Sequence, residues 1–343
     1  MDAFQFKRAA TADAAIQAGL KSSTAQQGAQ VRFVAGGTTL IDLMKLNVER
    51  PREVVDINGL GPANGSGLAA IQATPSGGLT IGALARNSDV AHHPAVMRDY
   101  AVLSQALLSG ASPQLRNMAT TGGNLLQRTR CVYFRDTAHA CNKREPGSGC
   151  SAIVGYNRML AILGTSEHCI ASNPSDQNVA LAALEATIQI QGAKGRRSVP
   201  IHEFYLLPGS TPERETVLEP GDLITGVTLP PPPPGSRSLY LKLRDRAAYE
   251  FALASAAVVV TVAGGRVERA RVALGGVGAK PWRSLEAEHA LEGHAADAAT
   301  FRRAAEAALR DARPASENAF KVELSKRCLE RALTTASSHA QAA

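Results

Sequence analysis

The sequence predicts an α+β protein of two domains, on three observations. Through residue 229, short apolar runs of strand length alternate with segments of helical period, with glycine-rich turns between them. Five consecutive prolines, Pro230 to Pro234, then interrupt the chain with a stiff polyproline segment. Beyond them, strand-like runs precede alanine-rich helical ones, the order of an α+β unit. A chain of 343 residues exceeds one ordinary core, so two domains are expected, with three possible, and the organisation read is 1–229, a linker at 230–235, and 236–343.

Val31-Arg32-Phe33-Val34 reads as a short strand that runs into Ala35-Gly36-Gly37-Thr38-Thr39, and Leu40 to Leu46 carries apolar residues at helical spacing. Glu53 to Ile57 and Leu79 to Leu84 are further strands; Ala101 to Leu108 reads as a helix. Val179 to Thr187 is read as a helix and Leu223 to Leu229 as a strand. After the prolines, Ser238 to Leu243, Ala252 to Val262 and Arg266 to Leu274 are strands about a Gly264-Gly265 turn. Helices are expected over Leu285 to Leu291, Ala298 to Arg310 and Ser316 to Leu333.

Bulk properties narrow the function. No run of 18 apolar residues exists, so no membrane-spanning helix is expected. Met1 to Lys7 lacks a basic region followed by an apolar stretch, so no secretory signal is read; a cytoplasmic protein, or one exported with a signal-bearing partner, is expected. The net charge of +7 is dispersed and only 4% of residues are aromatic, which argues against nucleic-acid binding. A mildly basic surface suits an acidic protein partner instead.

Periodicity fails between Gln127 and Gly155, and a loop of that length is usually functional or disordered. Cys131, Cys141, Cys150 and Cys169 fall within 39 residues, separated by nine, eight and eighteen others. No CxxC occurs, so neither a zinc ribbon nor a bacterial ferredoxin motif is present. Spacing alone leaves zinc and a 4Fe–4S cluster on a par, with disulfides behind. Arg128, Arg130, Arg135, Lys143 and Arg144 would offset thiolate charge, which modestly favours a metal–thiolate site. His139 and His168 are read as solvated, His92-His93 as a loop pair, and Cys328 as an unligated structural thiol.

Two glycine-rich segments could hold a ligand. In Ala35-Gly36-Gly37-Thr38-Thr39 the glycines permit close backbone approach, and successive N–H groups suit a diphosphate. Ala119-Thr120-Thr121-Gly122-Gly123-Asn124-Leu125 combines hydroxyls, small residues and an amide. Taken singly, the first reads equally well as a turn and the second slightly better as one closed by Asn124, with Thr38 and Thr39 as helix caps and Asp176 as the cap of the helix before Val179. Neither GxGxxG nor GxxxxGK[ST] occurs.

Together the AGGTTLIDLMK and TTGGNLLQ segments, with Pro174-Ser175-Asp176, Tyr240-Leu241-Lys242-Leu243-Arg244 and Gly275 to Trp282, resemble the FAD-binding subunit of the xanthine dehydrogenase/molybdenum hydroxylase family. The resemblance spans nearly the whole chain. The run from Thr129 to Cys150 is most similar to the FAD and iron–sulfur subunits of periplasmic aldehyde oxidoreductases. It implies a two-part FAD-binding domain of the vanillyl-alcohol oxidase (PCMH) type, divided at 1–60 and 61–229, with an iron–sulfur insertion at 128–169. The C-terminal domain would be of the CO dehydrogenase flavoprotein type.

The same resemblance implies roles. Phe33, Val34, Ala35, Gly36, Gly37, Thr38, Thr39 and Leu40 would line the FAD diphosphate. Gly110, Ala111, Thr120, Gly123 and Asn124 match positions at the flavin end or the diphosphate. Asp176 would accept from a cofactor hydroxyl, Leu223 or Ile224 would pack on a ring system, and Lys242 would approach the isoalloxazine. All four clustered cysteines would ligate a 4Fe–4S cluster. No residue is expected to be catalytic; a molybdenum-cofactor-binding large subunit would oxidise an aldehyde. With a small 2Fe–2S subunit it would complete a heterotrimer that delivers electrons to an external acceptor, placed in the periplasm by co-export. Two other readings stand beside it: a self-contained flavin oxidoreductase, and a non-enzymatic zinc-stabilised interaction module.

Overall fold

A computed structural model describes residues 1–61 and 67–338. Three sheets follow one another along the chain. The first joins β1 (Gln5–Arg8), β2 (Val31–Val34) and β3 (Glu53–Asp56) in parallel, in the order β1-β3-β2. The second joins β4 (Ile71–Ala73), β5 (Leu79–Gly82), β6 (Thr187–Gly192), β7 (Gly195–Pro200) and β8 (Leu223–Leu229), in the antiparallel order β4-β5-β8-β6-β7. The third, also antiparallel, joins β9 (Arg237–Leu243), β10 (Ala254–Ala263), β11 (Arg266–Gly275) and β12 (Trp282–Arg283) in the order β12-β11-β10-β9.

β10 shows why the C-terminal sequence reads as one continuous apolar run. Ala257 and Val259 face a core shared with the helices Ala101–Ser109 and Asp176–Ala183 and with β5, β6 and β8. Ala254, Ala256, Val258 and Val260 face a second core under the helices Leu285–Leu291, Ala298–Ala308 and Phe320–Ser338. With both faces covered, polar alternation would place polar groups in a core. The first core therefore crosses the proline segment. Tyr100 hydroxyl donates to Pro230 O at 2.9 Å and ties that segment to the helix that follows Tyr100.

Some elements depart from the sequence expectation. The helix read to Thr187 stops at Ala183, because Glu185 turns through a positive φ of 53° and Thr187 opens β6. The Thr-Thr-Gly-Gly-Asn segment is a short helix, Thr121–Leu125, not a turn. His92 ends the helix Asn87–His92 rather than lying in a loop. Within the irregular stretch, Val132–Arg135 and Ser151–Val154 each form a single helical turn.

Candidate cofactor sites

β2 delivers the chain into Ala35 to Thr39, and the helix Leu40–Lys45 carries it away. Residues 33–40 line one open cleft of about 1640 Å³, open solvent included. Thr120, Gly123, Leu223 and Ile224 line it too, so segments more than 80 residues apart in sequence meet there. Gly36 is what lets them meet: a Cβ on it would lie 1.9 Å from the Met118 carbonyl oxygen, just before the second glycine segment. Gly37 has φ +73°, in the left-handed region where glycine is at no disadvantage.

Between them these glycines leave a row of donors. Among the described residues, the backbone N–H groups of residues 36–40 donate to no protein acceptor, although these residues are half-buried. Half-buried donors without partners cost free energy unless water or a ligand accepts from them. A diphosphate fits that need by its charge and its several acceptor oxygens. Thr39 makes no side-chain cap bond, so its hydroxyl too is not committed to the helix.

Thr120 is an extended cap whose hydroxyl accepts from Gly123 N at 3.2 Å, which starts the Thr121–Leu125 helix despite its two glycines. That helix is docked on the chain after β5: Thr121 N donates to Ala85 O and Gly122 N to Ala83 O. Asn124 turns away from the cleft. Its Oδ1 accepts from Ser175 Oγ at 2.7 Å and Gln127 Nε2 at 2.7 Å.

The remaining predicted residues form a second group, outside the cleft lining. Ser175, not Asp176, caps the helix Asp176–Ala183, by accepting from Asn178 N. Asp176 accepts instead from Tyr240 hydroxyl at 2.5 Å and from Lys242 Nζ at 2.7 Å, so each of its oxygens already has a protein donor. Lys242 also donates to Ser109 O at 3.1 Å, next to Gly110 and to Ala111, whose φ is 53°. A Cβ on Gly110 would sit 3.1 Å from Asp176 Oδ2. Burial, then the Asp176 charge, holds the Tyr240 phenol well above its ordinary range, so it remains a donor.

The cysteine segment makes its own core. Cys131, Cys141 and Cys169 are buried with Phe134, Leu160 and Ile170, and Cys150 packs against them. Cys141 and Cys150 face each other across an isolated antiparallel bridge. Burial pushes the Cys131 thiol up to about 11; it raises Cys169 as well, against the pull of the Lys143 charge. Thiols in such a core stay neutral unless a metal offsets the thiolate charge. Among the described residues no group of three or more Cys, His, Asp or Glu side chains is already closed around a metal ion. Cys328 is a free thiol elsewhere, buried in the C-terminal core.

Of the basic residues of this segment Lys143 acts on a thiol, that of Cys169, but their ion pairs are made with carboxylates rather than with the cysteines. Arg128 pairs with Glu49 and Glu215, Arg130 and Arg135 with Asp42, and Lys143 with Glu215. Arg144 donates to the carbonyls of Tyr133 and Phe134. Carboxylates from elsewhere in the chain outcompete the thiols, because they carry full charge without a metal. Glu49, Glu215 and Arg128 also line the cleft, beside Lys143 and Cys169, so the cysteine core and the glycine loops share a wall. Scattered single acids carry no local pattern, and the sequence offered no signal for them.

An open cleft walled by two glycine-rich segments with unpartnered backbone donors suits a phosphate-bearing cofactor such as a dinucleotide. Residues 2–232 match the family described as the FAD binding domain in molybdopterin dehydrogenase, and residues 239–336 the CO dehydrogenase flavoprotein C-terminal domain. The chain belongs to this family of FAD-binding subunits. It is 49% identical over 342 residues to the aldehyde oxidoreductase FAD-binding subunit PaoB of Escherichia coli K12, covering 99% of this chain and 100% of that one. It is 30% identical over 257 residues to the glyceraldehyde dehydrogenase medium chain of Sulfolobus acidocaldarius, covering 75% and 72%. Its fold matches a carbon monoxide dehydrogenase of Hydrogenophaga pseudoflava with a TM-score of 0.75, at 25% identity and 98% coverage of both chains. No helix among the described residues is long and apolar enough to cross a membrane.

Proposed function

We propose that this chain is the FAD-binding electron-transfer subunit of a molybdenum-containing aldehyde oxidoreductase, and that it also carries a 4Fe–4S cluster on Cys131, Cys141, Cys150 and Cys169. The observation that carries the reading is the shared wall: Cys169 and the glycine loop line the same cleft. The 49% identity to PaoB over its full length supports the substrate class. The expected assembly is a heterotrimer with a molybdenum-cofactor-binding large subunit and a small 2Fe–2S subunit, exported to the periplasm with a signal-bearing partner and serving an external electron acceptor. The domain division at 230–235 belongs to the same proposal.

Bound FAD supplies the capacity to take electrons and pass a pair to an acceptor. The protein's part is to hold it. The N–H groups of residues 36–40, which have no protein acceptor, would hold the diphosphate, and Leu223 and Ile224 of the cleft lining would pack on a ring system. Lys242, fixed by Asp176 and Ser109 O outside the cleft lining, would approach the flavin end and bring a positive charge there. Asp176 in turn balances that charge.

The test is cofactor analysis of the complex purified with its partner subunits. Flavin at one per chain, with iron and acid-labile sulfide near four each, is the expected result. Zinc without iron or flavin would overturn the reading, and aldehyde turnover by the isolated chain would favour a self-contained flavin enzyme.

A further inference from the structure

The cysteine segment holds the chain after the flavin loop directly, at Asp42 and Glu49, and the strand before it through Glu49, which Arg32 and Arg128 share. Upstream of the loop, Arg32 of β2 makes two bonds of 2.9 Å to Glu49, and Arg128 of the cysteine segment reaches the same carboxylate at 2.6 Å. Downstream, Asp42 in the first turn of the Leu40–Lys45 helix accepts from Arg135 at 2.8 Å and Arg130 at 3.4 Å. Phe134 lies 4.8 Å beneath the Arg128 guanidinium, which orients it. Packing agrees with charge, since Leu43 of that helix and Val48 after it are buried in the cysteine core, not in the sheet.

An exposed ion pair would contribute little on its own. These differ in setting. The Glu49 side chain is 3% exposed between two arginines, and Leu43 is 1% exposed, so their positions depend on the cysteine core being assembled. Asp42, 41% exposed, is the accessible point of the grip.

We propose that the cysteine segment is a clasp on the flavin loop, with Asp42 and Glu49 as positioning residues, so that FAD affinity depends on the metal held by the cysteine core. This rests on the cluster reading above. The physical reason is that residues 36–40 must present several N–H groups to one diphosphate at once, while the chain after that loop is tied directly to the cysteine segment and the strand before it through the shared Glu49 carboxylate. Loss of the metal loosens the core and lets the donors spread.

The experiment measures the FAD dissociation constant by flavin fluorescence on the full chain, with iron determined on the same samples. Iron removal by a chelator should weaken FAD about tenfold in the parent, within the usual range of coupling between two sites. Asp42→Asn should keep its iron, weaken FAD a few-fold, and respond less to iron removal, because the tie is already cut. Asp42→Glu should restore both affinity and iron dependence. An unchanged FAD constant on iron removal, or the same fold-loss in parent and Asp42→Asn, overturns the proposal. A chain that binds FAD but never iron defeats the cluster reading instead. The clasp is then judged by Asp42→Asn alone, whose unchanged affinity would overturn it.

Discussion

Gly36→Ala is the smallest change that should separate the two halves of the flavin cleft. The added Cβ would stand 1.9 Å from Met118 O and 2.7 Å from Met118 C, where real contacts do not fall below 3.0 Å. The obstacle is backbone and is itself braced, since Arg86 Nη1 donates to Met118 O and Asn58 Nδ2 to Ala35 O. One of the two segments must therefore move by about an ångström or more, an overpacking that costs roughly 1–3 kcal/mol. If FAD must pull the segments back together, that cost appears in its affinity, as a loss of roughly 5- to 150-fold. The assay is FAD titration of the flavin-free chain, beside a thermal melt without FAD. Gly59→Ala is the control, because its Cβ would meet nothing nearer than Ala9 O at 3.8 Å. Parental FAD affinity in Gly36→Ala would refute the claim that this contact shapes the site.

Other outcomes follow from the same geometry. Cys141→Ser should lose its iron while retaining part of its FAD, and equal iron in variant and parent would show that Cys141 is no ligand. Lys242→Met leaves Asp176 buried with only Tyr240 as donor, and stranding one member of a buried pair costs about 3–5 kcal/mol. The double variant Asp176→Asn, Lys242→Met should recover part of that loss in the thermal midpoint; simple addition of the single effects would argue against coupling. Burial raises the Glu215 carboxyl, but Arg128 and Lys143 outweigh it and hold it below its ordinary 4.5. Its contribution is therefore complete above that value and drains as the pH falls beneath it. Urea midpoints across the acid range should fall more steeply in the parent than in Glu215→Gln.

Most of the regular structure was legible because its signals are local. β2, β8 and the Leu285–Leu291 helix stand where the apolar spacing places them. The Thr121–Leu125 helix was not, because two glycines lower its propensity; a threonine cap and docking onto Ala83 and Ala85 override that. The end of the helix at Ala183 was lost for a similar reason. The apolar residues on either side of Glu185 continue a plausible period, and only the positive φ there marks the break.

The division for the site is the same. Sequence alone determined the two glycine segments, the four cysteines and the family they resemble, since each is a run of neighbours with its own chemistry. Tertiary structure alone decided that Gly36 meets Met118 and that Asn124 turns to Ser175 rather than into the cleft. It decided too that the arginines of the cysteine segment answer to Asp42, Glu49 and Glu215. Those partners lie from 79 to 93 residues away for Glu49 and Asp42. A charge shows in sequence, but its partner is chosen by what the fold brings within a few ångströms, where Coulomb attraction and shared burial act.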